Sequence, residues 1–227
     1  MNMRLSQQKG MSLMEVLVAM SISLVVTASM IALMANSLGS TARIVNMTKL
    51  SDDLRTTMQM MTRDVRRSSY NANSMFCYAN TNCRSAVDAT VAGDIPINGG
   101  NDCFTFLTDR DHDGDSTEND AGGFRRVISS GVGVIEMWTG NAAPDCSVAA
   151  GTAGWVQITN PEIMDIFVFS VDDDLSYTQV VLDDGLGNIL TEKVRKIRMN
   201  MRGRLVVDNT IVRRIEDVIS VRNDLLF

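Results

Sequence analysis

The chain has 227 residues, with 21 Lys and Arg against 27 Asp and Glu, a formal net charge of −6 and 45% hydrophobic residues. That length accommodates one long N-terminal element and one globular domain able to bury its own core. An acidic balance without a basic stripe interleaved with aromatics excludes nucleic acid as the expected partner.

The first element is a short basic leader, residues 1–10, containing Arg4 and Lys9. Residues 16–35 then read VLVAMSISLVVTASMIALMA, with no charge, Pro or Gly. At about 1.5 Å per residue such a run spans roughly the 30 Å hydrocarbon core of a bilayer, so 11–35 is expected to be a transmembrane helix. The basic leader should stay in the cytoplasm and everything after the span should be exported. A secretory signal peptide fits less well, because the run exceeds the usual apolar core and Leu33-Met34-Ala35 lacks the small residue expected two positions before the cut. Glu15 stands at the front of the apolar run. A carboxylate there is costly, so it needs a partner or a task unless it lies among the lipid headgroups.

Lys9-Gly10-Met11-Ser12-Leu13-Met14-Glu15 resembles the processing site of type IV prepilins and pseudopilins. The resemblance implies that a membrane-embedded prepilin peptidase cuts after Gly10 and methylates the new amine of Met11. It further implies that Glu15 is neutralised by the N-terminal amine of a neighbouring subunit during assembly. The family most often has Phe where this chain has Met11, a departure that points to a minor rather than a major pilin.

Beyond the span, Ile44, Met47, Leu50, Leu54, Met58, Met61 and Val65 recur at three- and four-residue steps, with charges mostly on other faces. Residues 36–69 therefore read as the amphipathic half of one continuous helix, its methionines serving as flexible core packing. Arg66 and Arg67 suit its C-terminus by complementing the dipole. The segment Thr62-Arg63-Asp64-Val65-Arg66-Arg67-Ser68-Ser69 resembles the helix end of J-type pseudopilins and of minor pilins of the PilW kind.

Residues 70–227 form the expected exported domain. Up to Asp102 it is rich in Asn, Ser, Thr and Gly and reads as irregular. The four cysteines, Cys77, Cys83, Cys103 and Cys146, contain no Cys-x-x-Cys pair, so disulfides are expected rather than zinc. Of three possible connectivities, Cys77 with Cys83 and Cys103 with Cys146 is favoured, one small loop and one long loop, although the sequence leaves the others open.

Short β-type runs follow at 103–108, 124–129, 132–138, 155–159, 165–171, 178–182, 193–201, 205–207 and 210–221, and suggest one antiparallel sheet. Alternation is clearest from Val194 to Arg202, apolar residues mostly on one side and basic ones on the other. Asp183-Asp184-Gly185-Leu186-Gly187-Asn188 has hairpin-loop composition. The expected fold is α+β: a long N-terminal helix packed on an antiparallel sheet domain.

Residues 109–120 place Asp109, Asp111, Asp113 and Asp120 at loop positions 1, 3, 5 and 12, with Gly114 at position 6. That is the spacing by which an isolated calcium loop gathers oxygens, with Asp115 contributing its carbonyl. Position 12 is Asp rather than Glu and the flanks read as strands, unlike the paired helices of an EF-hand. The alternative is a solvated acidic loop. His112, the sole histidine, is expected at the surface or in an outer-shell role rather than in catalysis. No Walker sequence, Gly-x-Ser-x-Gly elbow or complete dinucleotide fingerprint is present, so no catalytic site is assigned.

Together the resemblances, which also include Val218 to Asn223, imply a minor pilin that helps to prime assembly of a type IV pilus. Its implied partners are other minor pilins, the major pilin, the prepilin peptidase and the inner-membrane assembly platform. Its implied location is a single pass in the inner membrane with a periplasmic domain, and then the pilus, near its tip. A J-type pseudopilin of a type II secretion system shares these features. A membrane-tethered exported enzyme or binding domain predicts instead an uncut anchor, or a cut near Ala35.

Overall fold

A computed structural model describes residues 10–70, 95–110, 112, 120–183, 189–222 and 225–226. Among these residues one helix, α1 (Leu13–Arg67), precedes ten strands: β1 (Cys103–Leu107), β2 (Ala121–Ser129), β3 (Val132–Trp138), β4 (Trp155–Gln157), β5 (Met164–Asp172), β6 (Tyr177–Asp183), β7 (Ile189–Val194), β8 (Lys196–Leu205), β9 (Val212–Ser220) and β10 (Leu225–Leu226). The chain divides into two compact units, Met1–Asn46 and Met47–Phe227. The α+β expectation is met.

The helix starts where its residues permit. Ser12 supplies the carbonyl that accepts from the N–H groups of Glu15 and Val16, at 3.0 and 3.2 Å. No proline interrupts the 55 residues that follow. Gly39 is helical, its Cβ position open to space. Arg66 and Arg67 occupy the last turn, where cations complement the dipole. Ser69 then adopts φ 59°, which turns the chain out of the helix.

In the second unit, the expected amphipathic face becomes the core. Leu50, Leu54, Met58, Met61 and Val65 are buried and share one cluster with Phe104, Phe124, Ile135, Ile166, Met199 and Met201. Each large side chain withdrawn from water in this way contributes roughly 1.5–3 kcal/mol before entropic costs. Helix and strand approach closely at Gly203, where an added Cβ would stand 3.1 Å from Leu54 Cδ2 and 3.2 Å from Ile166 Cδ1. A bulky residue at Gly203 would push the helix off β8.

The strands form three antiparallel sheets rather than the single sheet expected: β1-β2-β3-β4, β5-β8-β9 and β10-β7-β6. The expected strand 193–201 is divided at Arg195 between β7 and β8. Arg195 lies on the inward phase of the alternation, is 2% exposed and donates to Ser69 Oγ at 3.0 Å. A buried guanidinium needs such partners, and the ladder changes sheet around it. From Lys196 onward the alternation holds: Ile197, Met199, Met201 and Leu205 are buried. The expected run 205–207 is not a separate strand, since Leu205 ends β8 and the Val206 N–H donates to the Ile163 carbonyl.

Between β2 and β3, Ser130 and Gly131 have φ of 52° and 84°. Two successive positive φ values are what a two-residue hairpin loop requires. This turn sets the register, pairing Ser129 with Val132 and Arg125 with Glu136. The four-stranded sheet meets β5 at Gly133, where any Cβ would overlap the Ile166 carbonyl.

Candidate functional site: the helix start and the acidic loop

Gly10, Met11 and Ser12 precede the helix and are exposed. The Gly10–Met11 bond thus lies in accessible, non-helical chain. Gly10 has open space where a Cβ would stand. Glu15 falls in the first turn of α1, where a carboxylate faces the positive end of the dipole. Thus Gly10, Met11 and Glu15 stand together at one end of the first unit.

From Val16 to Ala35 the helix is uncharged around its whole circumference and uncovered: Leu17 is 55% exposed, Leu24 70% and Leu33 71%. The segment is long and apolar enough to cross a membrane. Three of its hydroxyls bond back to the preceding turn: Ser21 donates to the Val18 carbonyl at 2.8 Å, Ser29 to Val25 at 2.8 Å and Thr27 to Leu24 at 3.2 Å. Such back-bonding is the form polar groups take in lipid, where water cannot supply partners.

Of the proposed calcium ligands, Asp111, Asp113 and Asp115 lie outside the described residues. Asp109 and Asp120, the first and last, are brought together: the Thr108 N–H donates to the Asp120 carbonyl at 3.0 Å and the Arg110 N–H to Asp120 Oδ1 at 2.8 Å. Both aspartates are buried, 0% and 1% exposed. His112 is exposed as expected and sets its ring edge-on to Tyr70 at 5.8 Å. Among the described residues no cluster of three or more His, Cys, Asp or Glu forms a metal site.

Cys103 and Cys146 are joined as a disulfide, the long loop of the favoured connectivity. Cys77 and Cys83 lie outside the described residues. Beside the disulfide stands a pair that composition did not single out. Arg125 and Glu136, each 1% exposed, are bridged through Arg125 Nε and Nη2 to Glu136 Oε2 at 3.0 and 2.8 Å. The hairpin signal Ser130-Gly131 fixes the register that opposes them, and is how the sequence could have disclosed the pair.

Asp145 caps its own turn by accepting from the Ser147 hydroxyl at 2.7 Å and the Ser147 N–H at 2.8 Å. Those bonds, the hydroxyl above all, hold its carboxyl below the ordinary aspartate range.

Two family models match the chain. The model of the prokaryotic N-terminal methylation motif covers residues 5–31. A second, described as prepilin peptidase-dependent protein B, covers residues 43–221. No curated protein and no solved structure matches.

Proposed function

The chain belongs to the prepilin peptidase-dependent protein B family, and from that premise we propose that it is a minor pilin, a non-catalytic subunit that helps to prime assembly of a type IV pilus. Its leader is removed between Gly10 and Met11, the new amine is methylated, and the apolar part of α1 holds the protein in the inner membrane with the second unit in the periplasm. Assembly then transfers that helix from lipid to the packed helices of a filament, alongside other minor pilins and the major pilin.

Support comes above all from the helix start: an exposed non-helical Gly10–Met11 bond, followed at once by an uncovered apolar helix with Glu15 in its first turn. A helix apolar on every side is stable only in lipid or among other helices, and the hydroxyls of Ser21, Thr27 and Ser29 are already satisfied for either setting.

The experiment is to map the mature N-terminus of the protein recovered from cells that contain a prepilin peptidase. The expected chain begins at N-methylated Met11. A chain that begins after Ala35, or retains its leader in the presence of active peptidase, overturns the reading.

A further inference from the structure

Arginines are distributed unevenly over this acidic chain. Arg55, Arg63 and Arg66 occupy one side of α1, within the second unit, and Arg222 follows β9. They surround a groove of about 560 Å³ whose apolar wall includes the half-buried Ile215. The Arg222 N–H is hydrogen-bonded to the Arg66 carbonyl at 3.4 Å, which ties the two walls together at that end.

Among the described residues neither acid lining the groove is ion-paired to one of its arginines. Glu216 pairs with Arg214, and Asp217 Oδ2 accepts from Thr62 Oγ1 at 3.2 Å. Arg63 reaches Asp64 at 3.3 Å. Among the described residues Arg55, Arg66, Arg67 and Arg222 have no ion-pair partner. All four are exposed. The helix dipole accounts for Arg66 and Arg67 in the last turn, but not for Arg55, three turns earlier, or for Arg222 on the opposite wall.

Gathering like charges is unfavourable unless an opposite charge joins them. The spacing restricts what that charge can be. From Arg55 to Arg66 the guanidinium groups extend over about 16 Å of helix, with an apolar wall between them, so they do not converge on one compact anion. An extended chain with carboxylates at intervals matches this arrangement, each carboxylate meeting a guanidinium fork.

We propose that this groove is a docking site for an extended acidic polypeptide segment of a neighbouring subunit in the assembled filament. The source of the segment rests on the minor-pilin reading; the groove's selectivity does not. The segment lies along α1 against β9, its carboxylates paired with Arg55, Arg66 and Arg222 and a small apolar side chain on Ile215.

The test uses the full chain in uncharged detergent micelles and a fluorescent peptide of alternating Glu and Ala, followed by anisotropy. The peptide should bind, more weakly as salt rises, and R55Q/R66Q and R222Q should each weaken it, the double variant by about tenfold or more. The charge-matched K49Q/R213Q should bind as the parent does. The Gln-for-Glu peptide should not bind.

Equal binding by parent and R55Q/R66Q overturns the proposal, as does no binding by the parent. Displacement by equimolar inorganic phosphate overturns it in favour of a compact-anion site. Self-association of the parent that R55Q/R66Q abolishes makes the occupant a second copy, and overturns the assignment to a different subunit. A mature chain not starting at Met11 would overturn the pilin reading while leaving peptide binding intact, so the two failures are distinguishable.

Discussion

Arg125 and Glu136 face each other across the β2–β3 hairpin, guanidinium on carboxylate at 2.8 Å, with the aromatic face of Trp155 4.3 Å from the guanidinium carbon. The pair fastens a loop as well as a sheet. Arg125 Nη1 donates to the Val148 carbonyl at 2.7 Å and Nη2 to the Ala149 carbonyl at 2.9 Å, while Glu136 Oε1 accepts from the Gly151 N–H at 2.8 Å. The same loop carries Cys146, bonded to Cys103, whose strand position is directly opposite Arg125. One covalent link and one buried ion pair thus hold residues 145–151 against the four-stranded sheet.

Removal of either charge leaves the other buried without its partner, which costs roughly 3–5 kcal/mol. Glu136→Ala should therefore lower the stability of the second unit by that order, read as a fall in the denaturant midpoint. R125M/E136L should recover part of the loss, because neither charge is then stranded. It should stay below the parent, because the Val148 and Ala149 carbonyls and the Gly151 N–H lose their partners. A double variant as unstable as the single one would show that loop anchoring, not the stranded charge, sets the cost.

The sequence disclosed the helix because its pattern is long: seven apolar positions from Ile44 to Val65 repeat at helical spacing. It disclosed β8 because Ile197, Met199 and Met201 alternate with polar residues. It did not disclose the division into three sheets, since no Gly or Pro marks Arg195, and the break comes from a tertiary partner, Ser69, far along the chain. The arginine groove was hidden for the same reason: Arg222 reaches Arg66 only through the packing of β9 beside α1. The N-terminal methylation motif was legible because it is read as linear sequence.

Asp145 offers a pH-dependent check on the anchored loop. Bonds from the Ser147 hydroxyl and N–H favour its charged form, so its folded pKa lies below the unfolded value. A depressed carboxyl contributes stability that is complete above the unfolded value of about 3.9 and is lost as pH falls through the lower folded value. Ser147→Ala should move the Asp145 titration, followed by NMR, upward towards the ordinary aspartate range. An unchanged midpoint would assign the shift to the remaining N–H bond instead.

The ends of the acidic loop meet through Asp120, which accepts from the N–H groups of Thr108 and Arg110. Closing the loop in this way sets its first and twelfth positions side by side, as a calcium loop needs, and we propose that the loop binds calcium. Calcium at a hundredfold excess over its dissociation constant should stabilise the full chain by about 2.7 kcal/mol, seen as a rise in Tm that a chelator reverses. Asp113→Asn, at a side-chain ligand position, should weaken binding by about tenfold or more, whereas Asp115→Asn should retain most of it because position 7 ligates through its carbonyl. A Tm indifferent to calcium would mean a solvated acidic loop.

Glu15 tests the step that follows processing. The proposed cut, between Gly10 and Met11, lies in non-helical chain outside the first helical turn that holds Glu15, so Glu15→Ala should be cleaved as the parent is, with Met11 at the mature N-terminus. Assembly should differ. A carboxylate about 4 Å from a neighbour's N-terminal amine is attracted by about 4 kcal/mol at an effective dielectric of 20, and a net 1.4 kcal/mol already changes a partition tenfold. The variant should therefore be processed normally yet enter filaments at about a tenth of the parent level or less, measured by immunoblot of sheared filaments against the membrane fraction. Glu15→Asp keeps the charge on a shorter side chain and should fall between the two. Normal incorporation of Glu15→Ala would make this carboxylate an interfacial bystander and remove the charge-pairing step from the assembly scheme.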